Sequence, residues 1–270
     1  MPLVTAENNV IKFVESQEEQ WKKDFRRVLI NGGPHKGKTT SMLTFPGPRH
    51  IIIVPGELGH SSIVEDEDTK KYYWEINTAM TRDKAKHLIM QLRNTILEIL
   101  KLPKVVTIGL DGLHVLYQLI LVSYGWPDDA VNFGENAYGK GHNYARNDFV
   151  NIVRSISLSK ADHFVASVYD GNEAISADGR KTAIFPDLPG AMAKQVMGLF
   201  PAVFHAETVG EGAEKLYKWR LQALGEVQGA GLHLPKAVRD SFPQVCNADW
   251  KEIEGFMNKA AEASQKKLTA

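Results

Sequence analysis

The sequence is poor in cysteine, in net charge and in long apolar runs. Its 270 residues include one cysteine, Cys246, which excludes an internal disulfide and favours a reducing compartment. The 32 basic residues balance 32 acidic residues, so bulk charge does not indicate nucleic-acid binding and any DNA contact must be local. No apolar run approaches the roughly 20 residues that span a bilayer, and the first residues lack a signal-peptide core. We therefore expect a cytoplasmic protein with no membrane partner.

Apolar segments rich in β-branched residues alternate with helical patterns along the chain. This alternation predicts an α/β fold with a mainly parallel sheet, helices on both faces and antiparallel edge strands late in the sequence. In such sheets, ligands bind beyond the carboxyl ends of the strands. The predicted strands are RVLIN, HIIIVPGE, YYWEIN (72–77), VVTIGLDG, HFVASVYD, PAVFHAE and LYKWRLQAL, and the predicted helices cover 81–101 with Thr81 as N-cap, 113–124, 143–160 and 247–268.

The stretch RVLINGGPHKGKTT places a glycine-rich loop directly after a buried strand. Gly32, Gly37, Lys38 and Thr39 match the pattern G-x-x-x-x-G-K-[ST] of a phosphate-binding P-loop. Glycines let backbone N–H groups approach the phosphates, and the start of the following helix adds a favourable dipole. Lys38 is expected to reach the β- and γ-phosphates, and the Thr39 hydroxyl to ligate Mg²⁺. The predicted ATP site is Gly32, Gly33, Pro34, His35, Lys36, Gly37, Lys38, Thr39 and Thr40, with His35 and Lys36 facing solvent.

Two acidic residues are candidates for the chemistry of hydrolysis. Asp111 ends the apolar stretch TIGLD and is expected to be the second anchor of Mg²⁺; a helix N-cap is the alternative role, and both can hold at once. Many P-loop ATPases carry an acid directly after this aspartate, but here the next residue is Gly112. Glu57, just past a strand that we expect beside the P-loop strand, is the alternative residue to orient water. An exposed turn glutamate is the other interpretation of Glu57.

The order of these parts resembles that of phage nucleotide-binding proteins of the RecA-like P-loop class. VPGELG with its strand-end glutamate, TIGLDGLHVL, SVYDGNE and FPDLPGAMAKQVMGLFPAVFHAE follow the P-loop and precede the antiparallel YKWRLQAL. That class includes phage recombinases and single-strand-annealing ATPases, and the resemblance covers about residues 26–235. It implies a RecA-type core, ATP with Mg²⁺, a homo-oligomer and action on single-stranded DNA in phage recombination, in the host cytoplasm if the protein is phage-encoded. The expected parts are an N-terminal helix or arm (1–25), the ATPase domain (26–235) and a C-terminal helical extension (236–270).

The chain departs from this class at two places. The strand end after HFVAS often carries a polar sensor such as His or Gln, and here it reads Val168, Tyr169 and Asp170. The segment after the antiparallel strands often carries a Lys/Arg pair that reaches a neighbouring subunit's phosphates, and here it reads GEVQGAGLHLPK. The resemblance therefore implies that hydrolysis, or its stimulation across a subunit interface, is weak.

The resemblance also indicates two loops for DNA, because RecA-like proteins contact DNA through loops that follow the later strands. Aromatic side chains stack bases while cations meet phosphates, and both loops carry cations. The candidate residues are Trp126, Lys140 and Arg146 in the first loop (125–146) and Arg180 and Lys181 in the second loop (170–182). Flexible surface loops with no ligand are the alternative interpretation.

Three other functions stay open at the level of sequence. One is an assembly protein that binds nucleotide only to lock its assembled state. The absence of His or Gln at the strand end after HFVAS favours this alternative. Another is a motor ATPase, although a packaging motor usually also has a nuclease domain and no second acidic constellation is present. The third is a nucleoside or nucleotide kinase, although DGRKT is poor in arginine for a kinase lid.

Overall fold

The computed structural model describes residues 25–127, 140–175, 181–222, 230–232, 234 and 239–268. The predicted N-terminal helix or arm lies outside these ranges apart from Phe25, which is fully buried. Arg180 also lies outside them.

A nine-stranded sheet forms the centre of the described part of the chain. Its order is β11-β9-β8-β1-β5-β4-β2-β3, and β10 pairs with β8. The strands are β1 Arg27–Asn31, β2 Arg49–Ile53, β3 Thr69–Tyr72, β4 Thr107–Asp111, β5 His163–Val168, β8 Ala202–Val209, β9 Leu216–Arg220, β10 Gly231–Leu232 and β11 Val245–Asn247, and a separate hairpin is formed by β6 Asp170–Ile175 and β7 Lys181–Pro186.

The pairing of the strands confirms the predicted α/β class. Strands β1, β2, β3, β4, β5 and β8 pair in parallel, while β9, β10 and β11 join antiparallel on the β8 side of the sheet. The central strands are buried over nearly their whole length, which explains their continuous apolar runs. The antiparallel strand β9 is half-exposed, as its alternating sequence predicts.

Six described helices cover this sheet: α1 Lys38–Ser41, which continues as a 3-10 turn over Met42–Thr44, α2 Arg82–Lys101, α3 Leu113–Tyr124, α4 Lys140–Ser157, α5 Gly190–Met197 and α6 Trp250–Leu268. Thr81 caps α2 as predicted, since its hydroxyl accepts a 3.4 Å hydrogen bond from the Lys84 N–H. Helix α4 begins and ends three residues before the predicted range of 143–160. No helix in the described part of the chain is long and apolar enough to cross a membrane.

The predicted strand YYWEIN (72–77) is wrong beyond its first residue, since only Tyr72 lies in a strand. The strand in this region is β3, which lies earlier in the chain and pairs with β2 at the edge of the sheet. Its sequence is TKKY, and only Thr69 is buried. An edge strand with one covered residue needs no apolar pattern, so hydrophobicity pointed to the neighbouring aromatic segment instead.

Two hydrophobic cores, one on each face, hold the helices against the sheet. Leu29 of β1 faces the core that contains α2, α3, α4 and α5, whereas its neighbours Val28 and Ile30 face the core that contains α6. The period of two along β1 explains this division and confirms helices on both faces. Trp250 of α6 stacks on Phe45 at 4.5 Å between ring centroids. Residues 245–260 thus belong to the same sheet and core, and the domain boundaries stay predictions.

Candidate active site

Three strand ends bring the acidic residues and the P-loop to one edge of the sheet. The P-loop follows β1, Asp111 ends β4, and Glu57 follows β2. The expectation that β2 lies beside the P-loop strand is wrong, because β1 is flanked by β5 and β8. After β2 the chain runs to the edge strand β3, returns through α2 to β4, and later places β5 between β4 and β1. Glu57 reaches the site through β4 instead: Ile53 pairs with Asp111, and the Val54 N–H donates to the Asp111 carbonyl at 3.0 Å.

The P-loop holds its lysine against its own backbone. The Lys38 ammonium donates to the carbonyl oxygens of Gly32 at 2.7 Å and Gly33 at 2.8 Å. Gly37 has a positive φ of 78°, and a β-carbon there would lie 2.5 Å from the Tyr217 ring, so only glycine fits. Helix α1 is only four residues long. Attraction for a phosphate group would therefore depend on the Lys38 charge and the loop more than on a helix dipole.

The Lys38 ammonium also lies over an aromatic ring. Its nitrogen is 4.2 Å from the centroid of Tyr169, a favourable cation–π distance. Burial lowers the pKa of Lys38 from 10.5 to about 8, while the carboxylates of Asp111, Asp170 and Glu57 oppose that shift. Lys38 therefore stays mainly cationic at neutral pH, as an ammonium that binds phosphate must be.

Asp111 is buried and engaged at both of its carboxylate oxygens. The Thr39 hydroxyl donates to Oδ2 at 2.7 Å, and the Ser167 hydroxyl donates to Oδ1 while accepting from the Gly112 N–H at 2.9 Å. Burial raises the pKa of Asp111, and the bonds from Ser167 and Thr39 oppose this. The N-cap of α3 is Gly112, so the alternative of Asp111 as helix cap is wrong.

The pair formed by Thr39 and Asp111 fits Mg²⁺. A hydroxyl and a carboxylate oxygen 2.7 Å apart are the hard oxygen donors that this ion prefers. Among the described residues, no cluster of three or more His, Cys, Asp or Glu is arranged to hold a metal. That is compatible with Mg²⁺, which usually takes one or two protein ligands and completes its shell with phosphate and water.

Glu57 points inward instead of lying on an exposed turn, since its side chain is only 9% exposed. Its Oε1 accepts from the Leu58 N–H at 3.1 Å and from the Tyr169 hydroxyl at 3.3 Å, and its Oε2 lies 3.6 Å from His114 Nε2. Burial and the nearby Asp111 raise the pKa of Glu57. A β-carbon at Gly112 would lie 3.0 Å from Glu57 Oε2. Gly112, which stands where many P-loop ATPases have an acid, thus leaves the space that the inward Glu57 side chain occupies.

These residues line a cleft of about 640 Å³. His35 is exposed at its mouth, as expected, but Lys36 is half-buried and donates to the Thr208 hydroxyl at 3.0 Å. The expectation that Lys36 faces solvent is wrong because β8 and β9 pack beside the loop. The lining residues are Pro34, His35, Lys36, Gly37, Lys38, Thr39, Thr40, Glu57, Leu58, Gly59, Ser61, Ser62, Asp111, Tyr169, Lys215 and Tyr217.

Sequence reasoning missed two residues of the site, His114 and Ser167, and noted Tyr169 only as a departure from a polar sensor. His114 and Ser167 lie one to three residues from positions that the sequence did single out, in DGLHVL and in HFVASVYD. Burial lowers the pKa of His114 to about 4, so its imidazole is neutral at ordinary pH. The signal for Ser167 and Tyr169 was two hydroxyl groups at the end of an otherwise apolar strand.

Of the five candidate DNA residues, the structure brings two together. Trp126 and Arg146 line a second cleft of about 320 Å³ with His142, Pro189 and Met192 among others. The expectation that Lys140 and Arg146 lie in a loop is wrong, because both belong to helix α4, with Lys140 exposed at its first residue. Lys181 begins β7, and Arg180 lies outside the described residues.

No protein-family model matches the chain, and no curated protein matches it. The geometry of the cleft is therefore the basis for assigning a function.

Replacing Asp111 by asparagine should impair metal use more than nucleotide binding. Asparagine keeps the size of the side chain but loses the negative charge that would anchor Mg²⁺. We expect the Mg²⁺ concentration for half-maximal hydrolysis to rise about 10- to 100-fold, while nucleotide affinity measured in EDTA stays near the parent value. The control is Asp83→Asn on the exposed start of α2. Equal Mg²⁺ dependence in Asp111→Asn and parent would remove Asp111 from the metal site.

Proposed function

We propose that this chain is a Mg²⁺-dependent ATPase of the RecA-like P-loop class that acts on single-stranded DNA in phage recombination or annealing. The observation that carries the ATPase part is the convergence of Lys38, Thr39, Asp111 and Glu57 on one cleft. A chance glycine turn gives no reason for an ammonium, a hydroxyl and two carboxylates to meet there.

Each of these side chains has a distinct task in phosphoryl transfer. Lys38 would exchange the carbonyls of Gly32 and Gly33 for oxygens of the β- and γ-phosphates. Thr39 and Asp111 would hold Mg²⁺, which when bound neutralises charge developing on the phosphates. Glu57 would accept a hydrogen bond from the attacking water and align it with the γ-phosphorus. This division uses every polar side chain predicted for the chemistry.

The RecA-like description and self-association rest on the resemblance, with support from the surface. Glu57 follows the strand after the P-loop helix, the position that RecA-like ATPases use for their catalytic glutamate. Leu58, which lines the nucleotide cleft, is 82% exposed. In this class, neighbouring subunits share the nucleotide site. An exposed apolar side chain next to that site therefore suits a homo-oligomer.

The DNA part of the proposal is supported by the second cleft. Trp126 is 41% exposed, and its ring lies 5.2 Å from that of His142. An indole, an imidazole and the Arg146 guanidinium in one cleft combine stacking with phosphate contact, the two elements of sequence-independent single-strand binding.

Replacing Lys140, Arg146, Arg180 and Lys181 together by alanine should weaken binding of single-stranded DNA. The physical reason is loss of phosphate contacts, and each lost contact should reduce the slope of log affinity against log salt by about 0.7. Fluorescence anisotropy with a labelled oligonucleotide at several salt concentrations measures both effects.

The control for this variant removes equal charge elsewhere, at the exposed residues Lys70, Lys101, Lys104 and Lys160. If the control loses as much affinity as the four-residue variant, these four residues are not the DNA site. A parent that binds no single strands, with or without ATP, would remove DNA from the proposed function.

The function as a whole is tested by ATP turnover with and without single-stranded DNA. We expect a slow basal rate that single strands stimulate. Phosphate transfer to nucleosides or nucleotides instead of water would favour a kinase. Tight ATP binding with no turnover in either condition would favour a protein that nucleotide only locks into an assembly.

A further inference from the structure

Tyr169 stands between the two groups that would handle the γ-phosphate. It follows β5 directly, and its carbonyl accepts a 2.6 Å hydrogen bond from the Asp187 N–H. The preceding residue, Val168, pairs with Asn31 at the end of the P-loop strand. The backbone at Tyr169 is therefore held between the P-loop strand and the end of the β6–β7 hairpin.

The two ends of the Tyr169 side chain have different partners. The Lys38 ammonium lies over the ring, 4.2 Å from its centroid, and the hydroxyl donates to Glu57 Oε1 at 3.3 Å. The His114 ring lies 4.1 Å from the Tyr169 ring and 3.6 Å, through Nε2, from the other Glu57 oxygen. Tyr169 is thus packed against His114 while its hydroxyl stays directed at the carboxylate.

We propose that Tyr169 is a positioning residue for hydrolysis, whose hydroxyl holds the Glu57 carboxylate in the orientation that aligns water. This inference rests on the proposed ATPase function and deepens it. Burial, reinforced by Glu57, raises the pKa of Tyr169 to about 12, so the hydroxyl keeps its proton at any working pH. The strand end that lacks His or Gln therefore still supplies a polar group to the site, through a tyrosine.

The arrangement assigns separate effects to the hydroxyl and the ring. Removing only the hydroxyl, in Tyr169→Phe, leaves the ring under Lys38 and should leave ATP affinity unchanged. The Glu57 carboxylate then loses one of its two close donors and gains freedom to rotate. Since a hydrogen bond to a charged group is stronger than one between neutral groups, we expect kcat to fall by about tenfold or more.

A double-mutant cycle tests this assignment with a readout that general destabilisation would not give. Tyr169→Phe is made in the parent and in Glu57→Gln, and single-turnover hydrolysis and fluorescent-nucleotide affinity are measured for each. If the hydroxyl acts through the carboxylate, the loss seen in the parent shrinks to less than about twofold in Glu57→Gln. The matched control is Tyr144→Phe, which removes a hydroxyl from an exposed residue of α4.

Each remaining outcome counts against the inference. A parent rate that Tyr169→Phe leaves unchanged refutes it while the ATPase proposal stands. An equal loss in both backgrounds, or a loss of affinity that matches the loss of rate, shows that Tyr169 does not act through Glu57. A parent that binds ATP without hydrolysing it refutes the proposed function and this inference together.

Discussion

Replacing Lys38 by alanine is expected to abolish tight nucleotide binding without unfolding the chain. The substitution removes the ammonium that would meet the β- and γ-phosphates, and two charged hydrogen bonds of about 1.5 kcal/mol each correspond to roughly 150-fold in affinity. Among the described residues, this group donates to the carbonyls of Gly32 and Gly33 and lies over the Tyr169 ring, all of them at the cleft, so we expect the sheet not to depend on it. Titration of a fluorescent ATP analogue measures the loss.

Two comparisons make the Lys38 experiment specific. Lys38→Met keeps most of the aliphatic stem and should bind as poorly as Lys38→Ala, since the charge is the missing element. Lys104→Ala removes an exposed lysine away from the cleft and should bind like the parent. Unchanged melting temperatures would show that all three variants are folded. If Lys38→Ala binds ATP as well as the parent, the P-loop assignment is wrong.

Replacing Glu57 by glutamine is expected to keep ATP binding and to lower turnover by about 10²- to 10⁴-fold, the usual contribution of a positioned acid or base. The glutamine amide oxygen can still accept from the Leu58 N–H and the Tyr169 hydroxyl, so the local geometry is preserved. What is lost is the negative charge facing the water. Single-turnover hydrolysis with saturating protein separates this loss from any change in binding.

The control for Glu57→Gln is Glu98→Gln, at an exposed residue of α2. It makes the same chemical change away from the cleft and should leave turnover unchanged. A parent-like rate in Glu57→Gln would mean that another residue, or a neighbouring subunit, orients the water.

Glu57 should also determine how turnover falls at acidic pH. Burial and Asp111 raise the pKa of Glu57 above that of an ordinary carboxyl group. Because the ionised form is the active one, turnover should fall as the pH drops through this raised pKa. The acid limb should therefore lie above the ordinary glutamate range in the parent and be absent from the residual rate of Glu57→Gln.

The parallel centre of the fold was predictable because its signals are local and strong. RVLIN, HIIIV and TIGLD are apolar runs buried on both faces, and α3 matches its predicted range of 113–124. The edge strand β3 was missed because a strand covered at one residue carries no apolar period. The lateral order of strands was also missed at β2, since the pattern along one chain does not determine which strand later inserts beside another.

The candidate site also contains residues that sequence motifs predict and residues that only the fold reveals. Lys38, Thr39 and Asp111 were found from motifs whose spacing is set by the chemistry of phosphate and Mg²⁺. Glu57 was predicted by elimination, because a glycine and not an acid follows Asp111. The sequence did not show that Gly112 leaves space for the Glu57 side chain. Tyr169 was noticed only as a departure from His or Gln. A tyrosine hydroxyl can fill the role of a polar sensor when packing orients it toward the site. Sequence spacing does not show how a side chain is oriented.

The central claim, that this cleft hydrolyses ATP, is tested most directly by phosphate release from ATP by the purified parent chain, in Mg²⁺ and in EDTA, beside Lys38→Ala as the background. The account predicts slow, repeated turnover that requires Mg²⁺ and that Lys38→Ala lacks. Release that is the same in EDTA, or no different between the parent and Lys38→Ala, would contradict it.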